Sequence, residues 1–133
     1  MIVVDTNLIG YLFLESERSS QAEAVLRRDS QWAAPLLWRS ELRNVLAVQQ
    51  RTGRLSLTDA QEIMGQAEDL LREREYTTPS AEILRLAAAS GCTAYDCEFV
   101  ALAQDLGVPL VTVDRQVLAA FPGLAQTPEQ FIG

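Results

Sequence analysis

The 133-residue chain contains no histidine and no lysine; all 11 of its basic residues are arginine. This excludes histidine general acid–base chemistry, histidine triads and imidazole metal ligation. It also excludes a P-loop, which places a lysine on the phosphates. Cysteine is scarce. Cys92 and Cys97 are the only two, and they lack the two-residue gap of a redox or zinc pair. They read as packing residues suited to a reducing cytoplasm. Without the usual sulfur and imidazole ligands, zinc is disfavoured. What remains is carboxylate chemistry with a hard, oxygen-loving cation, Mg²⁺ or Mn²⁺. No apolar run is long enough to cross a bilayer, so no membrane association is expected. The opening Met-Ile-Val-Val-Asp lacks a basic region and reads as a first strand, not a signal peptide.

The composition that is present is ordinary for a soluble globule, with 48% hydrophobic and 22% charged residues. The length fits one domain over residues 1–133 with its own core. The net charge of −7 is unlike a nucleic-acid binder, since such domains are usually basic. Four carboxylates committed to a cation leave −3 for the rest, and local arginines still serve phosphates.

Strand and helix signals alternate. Ile2 to Val4 and Leu110 to Val113 are the clearest strands, both apolar and β-branched. Trp32-Ala33-Ala34 and Tyr76-Thr77-Thr78 are shorter ones, each closed by a proline, and Leu124 to Gln126 is a weak edge. Helices are expected through Leu8 to Phe13, from Ser19, from Leu37 to Gln50, from a capping box at Thr58, from a Ser80 cap, through Asp96 to Leu106, and through Val117. The Ser80 helix carries Ile83, Leu84, Leu86 and Ala87 and ends near Gly91. The alternation predicts an α/β fold with a parallel sheet, whose ligand site lies beyond the carboxyl ends of its strands.

Four acids stand out. Glu41 has Leu37, Trp38 and Val45 as its helical neighbours, and Asp96 has Phe99, Val100 and Ala103, so both fall on apolar stripes. A charge on a buried face is paired or bound to a metal. Asp5 and Asp114 follow the two clearest strands, where aspartate also serves simply as a helix cap. If all four converge, their mutual repulsion calls for a divalent ion. Such an ion suits phosphodiester hydrolysis without histidine or lysine.

The series Val-Val-Asp5-Thr6-Asn7, Glu41 in mid-helix, Tyr95-Asp96 before Val100-Ala101-Leu102-Ala103, and Leu110-Val111-Thr112-Val113-Asp114 resembles the PIN-domain nucleases. The likeness is to VapC-type toxins of toxin–antitoxin pairs and runs nearly the whole chain. It implies a three-layer α/β/α sandwich around a central parallel sheet of about five strands. It also implies an Mg²⁺- or Mn²⁺-dependent endoribonuclease leaving 5′-phosphate and 3′-hydroxyl ends. By the same resemblance, Asp5, Glu41, Asp96 and Asp114 are the acidic quartet at the metal, with Asp5 and Asp96 as its direct ligands. Thr112 and Asn7 match small polar positions that orient ligands or water.

Arg39, Arg43 and Arg115 flank the quartet and are candidates for holding RNA phosphates. Trp38 and Tyr95 are candidates for stacking on bases, with core packing the alternative for Trp38. The resemblance also implies a small antitoxin partner and a homodimer; the Leu- and Val-rich segment from Tyr11 to Leu57 would be the groove for an antitoxin helix, with ordinary core burial the alternative. Two rival readings exist. One is a non-catalytic binding module on the same fold. The other is an Asp5-nucleophile phosphotransfer domain, which normally requires the lysine that is absent here.

Overall fold

A computed structural model describes every residue from Met1 to Gly133. Ile2, Val3 and Val4, each at most 1% exposed, form β1 (Ile2–Val4) at the centre of a five-stranded sheet. The chain then runs through α1 (Thr6–Phe13), α2 (Ser19–Arg28), β2 (Trp32–Pro35), α3 (Leu37–Arg51), α4 (Leu57–Leu70) and β3 (Glu75–Tyr76). It continues through α5 (Ser80–Ser90), α6 (Ala94–Leu106), β4 (Leu110–Val111), α7 (Arg115–Ala120), β5 (Ala125–Gln126) and α8 (Pro128–Ile132).

The strand order is β3-β2-β1-β4-β5 and every pairing is parallel. Val3 stands opposite Ala33 on one side and Leu110 on the other. A strand buried on both faces must be apolar throughout, which is why β1 reads as a continuous hydrophobic run. Helices cover both faces, giving the three-layer α/β/α arrangement. Helix α6 packs on β1, β2 and β4 with α5 behind it, while α1 packs against α2 and α3. The winding of the sheet reverses between β1 and β4, so a crevice opens beyond their carboxyl ends. No helix is long and apolar enough to cross a membrane.

Two glycines end the helices that frame this layer. Gly91 and Gly107 have φ of 75° and 66°, left-handed values that close α5 and α6 at little steric cost.

Several boundaries differ from the sequence reading. Helix α4 is capped by Ser56, whose side chain accepts from Asp59 N–H, so Thr58 lies inside the helix. Helix α5 has Pro79 at its cap position, and Ser80 is its first residue without a capping bond. Leu84 is 65% exposed, because Leu86 with Ile83 and Ala87 holds the inner face one step round the helix. The third strand is Glu75–Tyr76, not Tyr76 to Thr78, since its neighbour β2 ends at Pro35. The fourth strand stops at Val111, two residues early. Thr112 N–H still reaches Gln126 O, but Val113 N–H turns to the Asp5 carboxylate instead of a neighbouring strand.

Candidate active site

Asp5, Glu41, Asp96 and Asp114 come from four different stretches of chain and line one cleft of about 290 Å³ at the β1–β4 crevice. Asn7, Thr112, Thr6 and Asn44 line it too. No arginine does.

Asp5 leaves β1 and caps α1. Its Oδ1 accepts Leu8 N–H at 2.9 Å, while Oδ2 accepts Thr112 Oγ1 at 2.6 Å and Val113 N–H at 3.2 Å. An ionised carboxylate offers about four acceptor sites, so one remains, on Oδ1. Asp114 caps α7 in the same manner, with Oδ1 accepting Val117 N–H at 2.9 Å. Both aspartates are therefore caps and cleft acids at once.

Glu41 is half-buried on α3, at the border between fully buried Trp38 and Leu42 and exposed Val45. The apolar stripe expected around it is thus one-sided. Its Oε1 accepts Thr6 Oγ1 at 2.6 Å. Asp96 sits in the first turn of α6, where its own N–H bonds the Thr93 cap at 3.0 Å and its carboxylate receives no protein donor. Behind it Phe99, Val100 and Ala103 are buried, as the helical spacing predicts.

Negative charge accumulates here with no basic side chain in the lining. Burial pushes the Asp5 carboxyl above its ordinary range; bonds from Thr112, Leu8 and Val113 oppose the rise, and the Asp114 charge adds to it. Burial also raises Glu41 against the Thr6 bond, with the Asp96 and Asp5 charges adding to the rise. Glu98, raised by burial, feels the Glu41 charge as well.

No three Asp, Glu, Cys or His side chains close into a tight metal cage. A hydrated Mg²⁺ or Mn²⁺ does not need one, since such ions keep several waters and take one or two carboxylates directly. The donor set fits that case. Asp96 is free of protein donors, and Asp5, Glu41 and Asp114 each keep open acceptor positions.

The PIN domain family model matches residues 2–123. The chain belongs to the PIN-domain family. This PIN domain is similar to Ribonuclease VapC3 of Pyrobaculum aerophilum, with 32% identity over 126 residues, covering 92% of this chain and 96% of the relative. In structure it is similar to PAE2754 from Pyrobaculum aerophilum, known from a crystal structure, with a TM-score of 0.77 and 25% identity over 98% of this chain and 92% of that one.

Within this PIN domain the other expected contacts divide. Arg43 and Arg115 are exposed, and neither lines the cleft. Arg39 is not free for phosphate, because its guanidinium is spent on Glu75 and Glu68. Trp38 is buried and donates to Glu75 at 2.7 Å, so it is core and not a stacking platform. Tyr95 is 63% exposed next to Asp96. Two polar residues of the cleft escaped the sequence reading as site members, Thr6 and Asn44. The signal for Asn44 was its position three residues after Glu41, on the same helical face.

Proposed function

We propose that this chain is an Mg²⁺- or Mn²⁺-dependent endoribonuclease, the toxin of a toxin–antitoxin pair, with Asp5, Glu41, Asp96 and Asp114 as its catalytic and metal-binding acids. The observation that carries the reading is the meeting of four carboxylates in one arginine-free cleft at the switch point of the sheet. Membership of the PIN-domain family and similarity to a protein named as a ribonuclease point the same way.

When bound, the cation supplies Lewis acidity and lowers the pKa of a water. The chain supplies position. Three donors fix the Asp5 carboxylate and leave one acceptor site open. Asp96, whose carboxylate receives no protein donor, would hold the cation. Asn7, exposed at the cleft, orients water, and Thr112 holds Asp5 and the Asp114 backbone together. Water attacks phosphorus and the 3′ oxygen departs, leaving 5′-phosphate and 3′-hydroxyl ends. Arg43 and Arg115 meet RNA phosphates beyond the cleft, and Tyr95 stacks on a base.

The partner is a small antitoxin protein, encountered in the cytoplasm. Val45 and Val48, three residues apart on one side of α3, and Leu57 at the start of α4 are each at least 36% exposed and would give an apolar antitoxin helix a place to dock. A homodimer completes the assembly.

The test is incubation of the purified chain with total RNA and Mn²⁺, with and without chelator, beside Asp96→Asn. New 5′-phosphate ends that vanish with chelator and with the substitution are expected. Cleavage indifferent to both overturns the reading.

A further inference from the structure

We propose that Thr6 is a positioning residue that sets the orientation of Glu41. This rests on the nuclease reading of the cleft and adds a residue to it.

Thr6 is the first residue of α1, directly after Asp5. A threonine hydroxyl in a helix interior usually bonds a carbonyl one turn earlier. At the first helical position no such carbonyl exists, so the hydroxyl is free to reach elsewhere. Thr6 is 8% exposed, and its Oγ1 meets Glu41 Oε1 at 2.6 Å, across 35 residues of sequence. That length lies in the range of a hydroxyl donating to an ionised carboxylate. Its one proton is therefore committed to Glu41.

The consequence concerns which oxygen faces the cleft. With Oε1 held by Thr6, Oε2 is the atom without a protein donor. Glu41 reaches the cleft on a flexible side chain, whose ordering carries an entropic cost. The carboxylates of Asp5 and Asp96 also repel it. Thr6 holds the carboxylate against that repulsion. Asp5 and Thr6 are consecutive, so one turn of backbone fixes two cleft acids: Asp5 as the cap, Glu41 through its neighbour's hydroxyl.

The test pairs Thr6→Val, which keeps the shape and removes the hydroxyl, with Thr6→Ser, which keeps the hydroxyl. Thr6→Val is expected to lower kcat about tenfold or more, the scale of one lost hydrogen bond to a charged group, while KM for RNA moves much less. Thr6→Ser restores most of the activity. In a Glu41→Gln background Thr6→Val adds little further loss, because its effect passes through the group already altered. Mn²⁺ affinity, titrated calorimetrically without RNA, weakens severalfold in Thr6→Val and recovers in Thr6→Ser. Thermal melts establish that each variant is folded. A Thr6→Val chain with wild-type turnover and Mn²⁺ affinity, a loss that serine does not restore, or full additivity with Glu41→Gln overturns the proposal. Asp96→Asn run alongside separates the outcomes: if it too retains full cleavage, the nuclease reading itself fails.

Discussion

Thr112 Oγ1 donates to Asp5 Oδ2 at 2.6 Å and in the same position accepts Asp114 N–H at 3.1 Å. One hydroxyl thus ties the ends of β1 and β4, and two of the cleft acids, into a single unit. It is 1% exposed, so water cannot replace either bond without rearrangement. Thr112→Val should destabilise the chain by about 1–3 kcal/mol, since a buried carboxylate and an N–H both lose a partner. Thr112→Ser should recover most of that. Urea unfolding in chelator, with unchanged denaturant slope, measures the difference. Equal midpoints for wild type and valine would mean that the hydroxyl contributes nothing to holding the two strand ends.

The cleft gathers four carboxylates with no arginine in its lining, so a divalent cation should stabilise the folded chain. At a concentration one hundred times its dissociation constant, a ligand binding only the native state adds about 2.7 kcal/mol. Mn²⁺ should therefore raise Tm by several degrees, and calcium-free chelator should reverse the shift. Asp96→Asn should blunt the response, because that acid alone has no protein donor competing for its oxygens. An undiminished shift in the Asp96→Asn chain would place the ion elsewhere.

Much of this arrangement was legible from residues alone, and the failures have physical causes. β1 was readable because a strand buried on both faces must be apolar throughout. Asp5 and Asp114 were readable because they follow the two strands that flank the switch point. The end of β4 was not, because Val113 keeps a β-branched side chain while its N–H is diverted to Asp5, and only the tertiary contact reveals the diversion. Ser56 and Thr58 offer competing caps two residues apart, and nothing local chooses between them. Helix α8 was overlooked although Thr127 and Gln130 form a capping box that the sequence displays. Asp96 occupies the third helical position after Thr93, where an acid commonly folds back onto the cap; here its carboxylate makes no such bond and stays available. Arg39 looked like a phosphate ligand because its partners, Glu68 and Glu75, lie 29 and 36 residues away in sequence.

That last reassignment separates the arginines by role. In an Asp96→Asn background, which permits binding without turnover, Arg115→Gln and Arg43→Gln should each weaken single-stranded RNA binding and reduce its salt dependence. Each lost phosphate contact should lower the slope of log K against log salt by about 0.7. Arg39→Gln should leave the slope as it is and instead lower the melting temperature. Fluorescence anisotropy across a salt series reads all three. A reduced slope for Arg39→Gln would mean that its pairing with Glu75 opens to admit RNA.

Glu75 provides a pH-dependent contribution to stability remote from the cleft. Its Oε2 accepts Trp38 Nε1 at 2.7 Å and Arg39 Nε at 2.6 Å, and its Oε1 accepts Arg39 Nη2 at 2.7 Å. The Arg39 hydrogen bond holds the carboxyl below its ordinary 4.5; burial opposes this, and Trp38 adds to it. A depressed carboxylate pKa contributes stability that is present above the unfolded value and is lost as pH falls through the folded one. The Glu75 side chain is only 13% exposed, but that of Arg39 is 33% exposed, so solvent screens part of the pairing. Glu75→Gln should therefore cost about 1–2 kcal/mol at pH 7, near the lower end for hydrogen bonds to charged groups. As pH drops below 4.5 and wild-type Glu75 protonates, the two chains should converge in stability. Urea midpoints for both, taken from pH 7 down to pH 3, test the sign directly. A gap that stays constant with pH would mean that shape and neutral hydrogen bonding, not the carboxylate charge, hold β3 to α3.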